Sequence, residues 1–374
     1  MIERQRLATY GISTTAVATI ALALWLKPWQ TSSLVAPEPE QIKPATEHRV
    51  DIVFAVDTTG SMGGLLDGAK RTVWSIATRV REVDPQADLR VGLVAYKDIS
   101  DDSAYVTKDF ALTSDLDGVF QELSSYTARG GGDTPEDVDA ALFDAVHKME
   151  WRSDAKKLIF LVGDAPPASR GEVPHYDVTA KVAADLQITV NAIRCGGDSE
   201  TARTWQQVAM LGHGEFSTIR QDGGVQQVAT PFDDKMAKLS ETIDHTAVIY
   251  GDDSTRGAYE GKMAAAAAAP EPAKADRASF YATKPGGSRA KDDLIGAGAL
   301  DMDKIDSAKL PAEMRSLSKT DLSAEITRRK EARAKAEVEM QQVAKQRADF
   351  LSKTHGKGDA FDSAVKTTVE HELK

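Results

Sequence analysis

A doubly wound α/β domain with a mostly parallel sheet is the fold class the sequence predicts, on two observations. From residue 49 to about residue 250, short and nearly uninterrupted apolar runs alternate with segments whose apolar residues recur at helical spacing. Polar, glycine-bearing turns follow directly on those runs, as where buried parallel strands feed crossover helices.

The elements follow in order. Residues 50–56 (VDIVFAV) form a first strand, a Gly-rich turn follows, and a helix runs over about 63–83. Residues 89–95 (LRVGLVA) are a second strand. A helix over 116–126 carries Leu116, Val119, Phe120 and Leu123 on one face. Pro135 opens another, with Val138, Ala141, Leu142, Ala145 and Val146 aligned. Strands are expected at 157–162, 188–193 and 215–219, with helices at 177–186 and 200–211 between them and a last helix over 224–248.

Ahead of this domain, residues 7–26 are uncharged and long enough to cross about 30 Å of hydrocarbon. Arg4 and Arg6 precede the stretch and Lys27 alone follows closely, which puts the N-terminus in the cytoplasm and the rest outside it. Tyr10, Trp25 and Trp29 fall near the two interfaces. A cleaved signal peptide is the competing reading, but a cut after Ala36 meets Leu34 and Pro37, which fit a signal peptidase poorly. The organisation expected is therefore an anchor over 1–29, a Pro-bearing tether over 30–48, the domain over 49–250, a low-complexity linker over 251–319 and a helical tail over 320–374. The tail sequence at 320–351 is rich in helix formers, and Ala336, Met340, Val343 and Leu351 mark a thin seam. That seam allows a coiled coil or partner-binding helix beside a plain solvated one.

Composition narrows the function. The 374 residues carry 46 Lys and Arg against 57 Asp and Glu, a net charge of -11. Beyond residue 251 there are 22 basic and 21 acidic side chains, so the acidity belongs to what precedes the tail. Nucleic acid is disfavoured as a partner. The one cysteine, Cys195, rules out an intramolecular disulfide or a Cys-based zinc site, and is expected to be a part-buried, inert thiol.

The chemistry gathers at strand ends. Asp57-Thr58-Thr59-Gly60-Ser61 follows the first strand, and ligands of such sheets bind beyond the carboxyl ends of the strands. A carboxylate and two hydroxyls are hard oxygen donors that suit Mg²⁺ or a similar cation. Asp164 ends a later strand in LVGDAPP. A third turn, Gly130-Gly131-Gly132-Asp133-Thr134-Pro135-Glu136, runs into a helix start. Helix capping explains each piece singly but not three such turns at the strand ends together.

On these residues the chain resembles a von Willebrand factor type A domain, with a metal-ion-dependent adhesion site of D-x-[ST]-x-S form. The GGGDTPED and GDAPP segments resemble the hemicentin-like and alpha-kinase-linked subgroup, and the whole layout is similar to bacterial membrane-anchored A-domain proteins. The resemblance, over about residues 49–248, implies that Asp57, Thr59 and Ser61 hold a divalent cation, Mg²⁺ or else Mn²⁺ or Ca²⁺, with Asp164 contributing directly or through water. Asp133 sits where the family usually has a threonine, and Thr134, one residue later, is its rival. The implied function is metal-dependent binding of a partner protein's carboxylate, as an adhesion or scaffolding module outside the cytoplasm, with no enzymatic activity.

Other readings remain beside it. The C-terminal helix makes an assembly or regulatory role the alternative. A haloacid-dehalogenase-like phosphatase would need a second carboxylate two residues after Asp57, where Thr59 stands. A P-loop fails because Ala69 occupies the lysine position after Gly63 and Gly68. Asp98, Asp101 and Asp102 are read as an exposed acidic loop rather than a second cation site, and His213, between two glycines, as structural.

Overall fold

The computed structural model of the chain describes residues 48–98, 105–130, 135–168, 170–224, 228–283, 289–296, 300–354 and 361–373. The expected membrane anchor at 7–26 lies outside these residues; among the described residues no helix is long and apolar enough to cross a membrane.

Six strands build the sheet: β1 (Arg49–Asp57), β2 (Asp88–Tyr96), β3 (Thr107–Thr113), β4 (Lys156–Gly163), β5 (Ile188–Cys195) and β6 (His213–Ile219). Their order is β3-β2-β1-β4-β5-β6. β1 pairs in parallel with β2 and β4, and β4–β5 and β5–β6 are parallel as well. β3 runs antiparallel at the edge beside β2. Its sequence TKDFALT, half-exposed or exposed at all but one position and carrying charge, lacks the apolar run of a buried strand, as an edge strand can.

The helices cover both faces. They are α1 (Gly63–Val83), α2 (Leu116–Ser125), α3 (Val138–His147), α4 (Tyr176–Asp185), α5 (Ser199–Leu211) and α6 (Asp233–His245). Alternation along β1 sorts the core. Ile52, Phe54 and Val56 turn to the face under α1 and α2, whereas Val53 and Ala55 turn to the face under α3, α4 and α5. Asp51 interrupts that run without penalty because Arg90 and Arg152 both donate to its fully buried carboxylate at 2.6–3.0 Å.

The residues read as a linker and tail pack differently from that expectation. They hold α7 (Asp253–Ala268), α8 (Glu271–Ala282), the 36-residue α9 (Lys319–Thr354) and α10 (Phe361–Glu372). α9 is not a solvated helix: Leu322, Ile326, Ala336, Met340 and Val343 are buried, the last three against α6 and α8. Its Arg333 and Arg347 are buried too, donating to Asp293 at 2.6 Å and to Asp233 and Asp276 at 2.7 and 2.8 Å. Of the seam seen in the sequence, Ala336, Met340 and Val343 face the chain's own helices, while Leu351 is only half-buried. α10 returns to the sheet, where Phe361, Val365 and Val369 join the core beneath α1, with Phe361 6.2 Å from the Phe54 ring. The last helix of the α/β segment is also shorter than expected, since α6 begins at Asp233.

Candidate metal centre

The sheet order reverses between β1 and β4, and Asp57 and Asp164 stand at the carboxyl ends of those two neighbouring strands. A crevice opens at such a point because the connections leave in opposite directions. Asp57 and Thr59 form its floor, both essentially inaccessible to solvent, while Ser61 is exposed and Asp164 half-buried at the rim.

Hydrogen bonds shape the first turn. The Thr59 backbone N–H and hydroxyl both donate to Asp57 Oδ1, at 2.8 and 2.7 Å, and Thr59 Oγ1 lies 3.3 Å from Ser61 Oγ. Asp57 Oδ2 is buried with no hydrogen-bond partner among the described residues. Burial pushes the Asp57 carboxyl up to about 7 against the lowering effect of the Thr59 bonds, and the neighbouring Asp164 carboxylate raises it further. A buried carboxylate oxygen left bare, beside hydroxyls and a second carboxylate, is a donor set matched to a hard divalent cation.

Backbone bonds stitch three turns together. Gly60 N–H donates to Gly130 O at 2.9 Å, and Arg129 N–H to Thr58 O at 3.1 Å. On the other side, Glu136 N–H donates to Pro166 O at 3.0 Å and Ala168 N–H to Glu136 O at 2.7 Å. The ends of the GGGDTPE turn are thereby fixed against both the DTTGS and the GDAPP turns. Asp133 and Thr134 themselves lie outside the described residues. Among the described residues no group of three or more His, Cys, Asp or Glu gathers.

Neighbouring residues complete the setting. Tyr96 OH donates to Val162 O at 3.2 Å, and a Cβ at Gly163 would collide with it, so the strand end before Asp164 must be glycine. Cys195 is fully buried rather than part-buried, its thiol held well above its usual range by burial and then by Asp164 and Asp57. Asp98 is not exposed as expected; it is buried in a two-pronged ion pair with Arg170, one prong at 2.8 Å, which commits its carboxylate elsewhere. Asp101 and Asp102 lie outside the described residues. His213 is an exposed, left-handed residue (φ 56°) at the start of β6. Sequence reasoning missed Gln221, whose Nε2 donates to Asp164 Oδ2 and, at 3.4 Å, to Ser61 O. Its position in a QDGG turn just past a strand end was the available signal.

Residues 51–230 match a family model described as the von Willebrand factor A domain. This segment is a von Willebrand factor A domain. The chain is 27% identical to the alpha-protein kinase vwkA of Dictyostelium discoideum over 117 residues, which is 31% of this chain and 18% of the kinase, so it spans less than a fifth of that relative. It is similar to the conserved protein BatB of Bacteroides thetaiotaomicron, at 18% identity and a TM-score of 0.35, covering 46% of this chain and 90% of that one. It is also similar to proximal thread matrix protein 1 from the mussel byssus, in a structure with a zinc-occupied MIDAS motif, at 16% identity and a TM-score of 0.34, covering 46% of this chain and 41% of that one.

Proposed function

We propose that the A domain is a metal-ion-dependent protein-binding module, used for adhesion or scaffolding. Asp57, Thr59 and Ser61 hold the cation, Asp133 joins them from the second turn with Thr134 as its rival, and Asp164 contributes directly or through water. The observation that carries this reading is the bare, buried Asp57 Oδ2 among hydroxyls and a second carboxylate. Mg²⁺ suits the set best, with Mn²⁺ and Ca²⁺ as alternatives. When bound, the cation supplies a Lewis-acidic position that a partner protein's Asp or Glu can complete. The chain's own residues keep the donors fixed and dry at the floor and open at the rim. Residues 7–26 would display the module from a membrane, with the domain outside the cytoplasm.

Two observations favour this face over other readings. Thr59 donates its hydroxyl to Asp57, so the position a phosphatase needs for a general acid is committed to orienting a carboxylate. Ala336, Met340 and Val343 of the α9 seam are buried against α6 and α8, which takes those residues out of reach of a partner.

The test is isothermal titration of Mg²⁺ and Mn²⁺ into the full chain beside Asp57→Ala. Saturable binding lost in the variant supports the reading. No heat in the wild-type protein would overturn it.

A further inference from the structure

The site has a fourth wall that no motif announces. The turn after β6, residues 220–224, crosses above the start of α1 and carries Gln221 to the crevice. The Gln221 carboxamide donates through Nε2 to Asp164 Oδ2 and to the Ser61 carbonyl. Both partners are acceptors, so the amide stands only one way round. Its carbonyl end lies over Gly196, a residue at φ +74° where any Cβ would collide with Gln221 Oε1. The side chain is therefore fitted against one strand end while it bonds to two of the metal turns.

The turn that carries it is held on both sides. Gly223, at φ +75°, packs on α1 so closely that a Cβ there would sit 3.2 Å from Leu65 Cα. A Cβ on Gly64 would meet Asp222 Cα at 2.9 Å. The Asp222 carboxylate accepts from Gly224 N–H at 3.0 Å and from Arg220 at 2.8 and 3.1 Å. From below, Phe361 N–H, the first of α10, donates to Gly223 O at 3.0 Å, while the Phe361 ring is buried against Phe54. An exposed glutamine would ordinarily sample many rotamers; this one sits on a turn pinned to two helices.

We propose that Gln221 is a positioning residue of the metal centre. Its N–H group fixes the orientation of Asp164 by occupying Oδ2, which leaves the other oxygen to the cation, and it clamps the Ser61 end of the DTTGS turn to the GDAPP turn. The inference rests on the metal-binding reading above. Partners that orient a ligand in this way matter to affinity in proportion to how firmly they hold it, with losses on removal of about 10–100-fold.

The test titrates Mg²⁺ into the full chain, as wild type, Gln221→Met and Gln221→His, and records each melting curve in chelator. Methionine keeps the shape and loses the donor; histidine keeps an N–H of comparable reach. The expected result is a 10–100-fold weaker Mg²⁺ affinity for Gln221→Met, partial recovery in Gln221→His, and metal-free melting temperatures within about 2 °C of wild type. Equal Mg²⁺ affinity in wild type and Gln221→Met overturns the positioning role and leaves the metal site standing. A Gln221→Met protein that also melts well below wild type in chelator overturns it too, by making the residue a structural prop. Absence of Mg²⁺ binding in the wild-type chain removes the reading underneath, and this inference with it.

Discussion

Gly60 donates its backbone N–H to the Gly130 carbonyl at 2.9 Å, and a Cβ built on Gly60 would stand 2.8 Å from that same oxygen. The contact joins the DTTGS turn to the residue from which the chain enters Gly131–Thr134. Gly130 is itself left-handed, at φ +86°, so neither side of the joint yields cheaply. Gly60→Ala is expected to push the two turns apart, weaken Mg²⁺ binding at least tenfold and lower stability by about 1–3 kcal/mol. Calorimetric titration and urea unfolding in chelator measure the two effects. Wild-type affinity in the variant would mean that the spacing of these turns does not matter to the site.

In the metal-free protein, stability depends on pH through Asp57. Burial, with Asp164 beside it, holds the folded Asp57 carboxyl up to about 7, whereas the unfolded chain releases that proton near the usual carboxylate value of about 3.9. Between those limits the folded state binds more protons than the unfolded one, so this group's share of the stability falls as pH rises. Its penalty is absent below about pH 4, grows from there to about 7 and is complete above. Asp57→Asn should therefore be more stable than wild type at about pH 8 in chelator, by up to about 4 kcal/mol, and little different at about pH 4. Urea unfolding across that range reads the difference. A stability gap that does not change with pH would sink the argument.

The third prediction separates Asp133 from Thr134. If Asp133 is the ligand, as proposed, Asp133→Ala should cost at least tenfold in Mg²⁺ affinity and Thr134→Ala should leave it near wild type. The reverse pattern would move the ligand by one residue and make the second turn a hydroxyl donor. It would also leave the site with one carboxylate fewer, and so a cation more receptive to an acidic partner.

The parallel strands and their helices were legible because burial on both faces of a sheet writes itself as uninterrupted apolar runs, as in KLIFLV, and because a two-faced strand such as β1 divides its residues by parity. The placement of Asp57, Thr59, Ser61 and Asp164 at the ends of two strands was legible for a related reason: polar groups directly after a buried strand have little purpose in packing. Three kinds of feature were hidden. β3 has one neighbour and a mixed pattern, so its pairing is set by β2 and not by its own residues. Gln221 acts by reach across the crevice, which spacing along the chain does not encode. The docking of residues 251–373 depends on buried arginines whose partners lie far away in sequence, such as Arg347 with Asp233, and a charged residue in a helix former's sequence looks solvated until its partner is known.

The buried ion pairs make that last point testable. Arg277 of α8 is almost wholly buried, donating to both oxygens of Asp117 on α2 at 2.7 Å and to Asp244 on α6 at 2.6 Å. Arg289 adds a contact to Asp244 at 3.1 Å and lies over the Tyr281 ring, whose hydroxyl donates to Asp117 at 3.0 Å. Burial alone would drive the Asp117 carboxyl upward, yet Arg277 and Arg289 more than offset it and keep it below its ordinary value. Arg277→Met takes the ion-pair partner from the buried Asp117 carboxylate and leaves Asp244 with Arg289 alone, and should cost about 3–5 kcal/mol. Converting the Asp117 side at the same time, as Arg277→Met with Asp117→Leu, should recover a large part of that loss, because an apolar pair of similar volume needs no compensation. Urea unfolding of the full chain measures both. If residues 251–319 behaved as the solvated linker their composition suggests, Arg277→Met would be neutral and the double variant would gain nothing over it, because an arginine in water leaves nothing behind when it is removed.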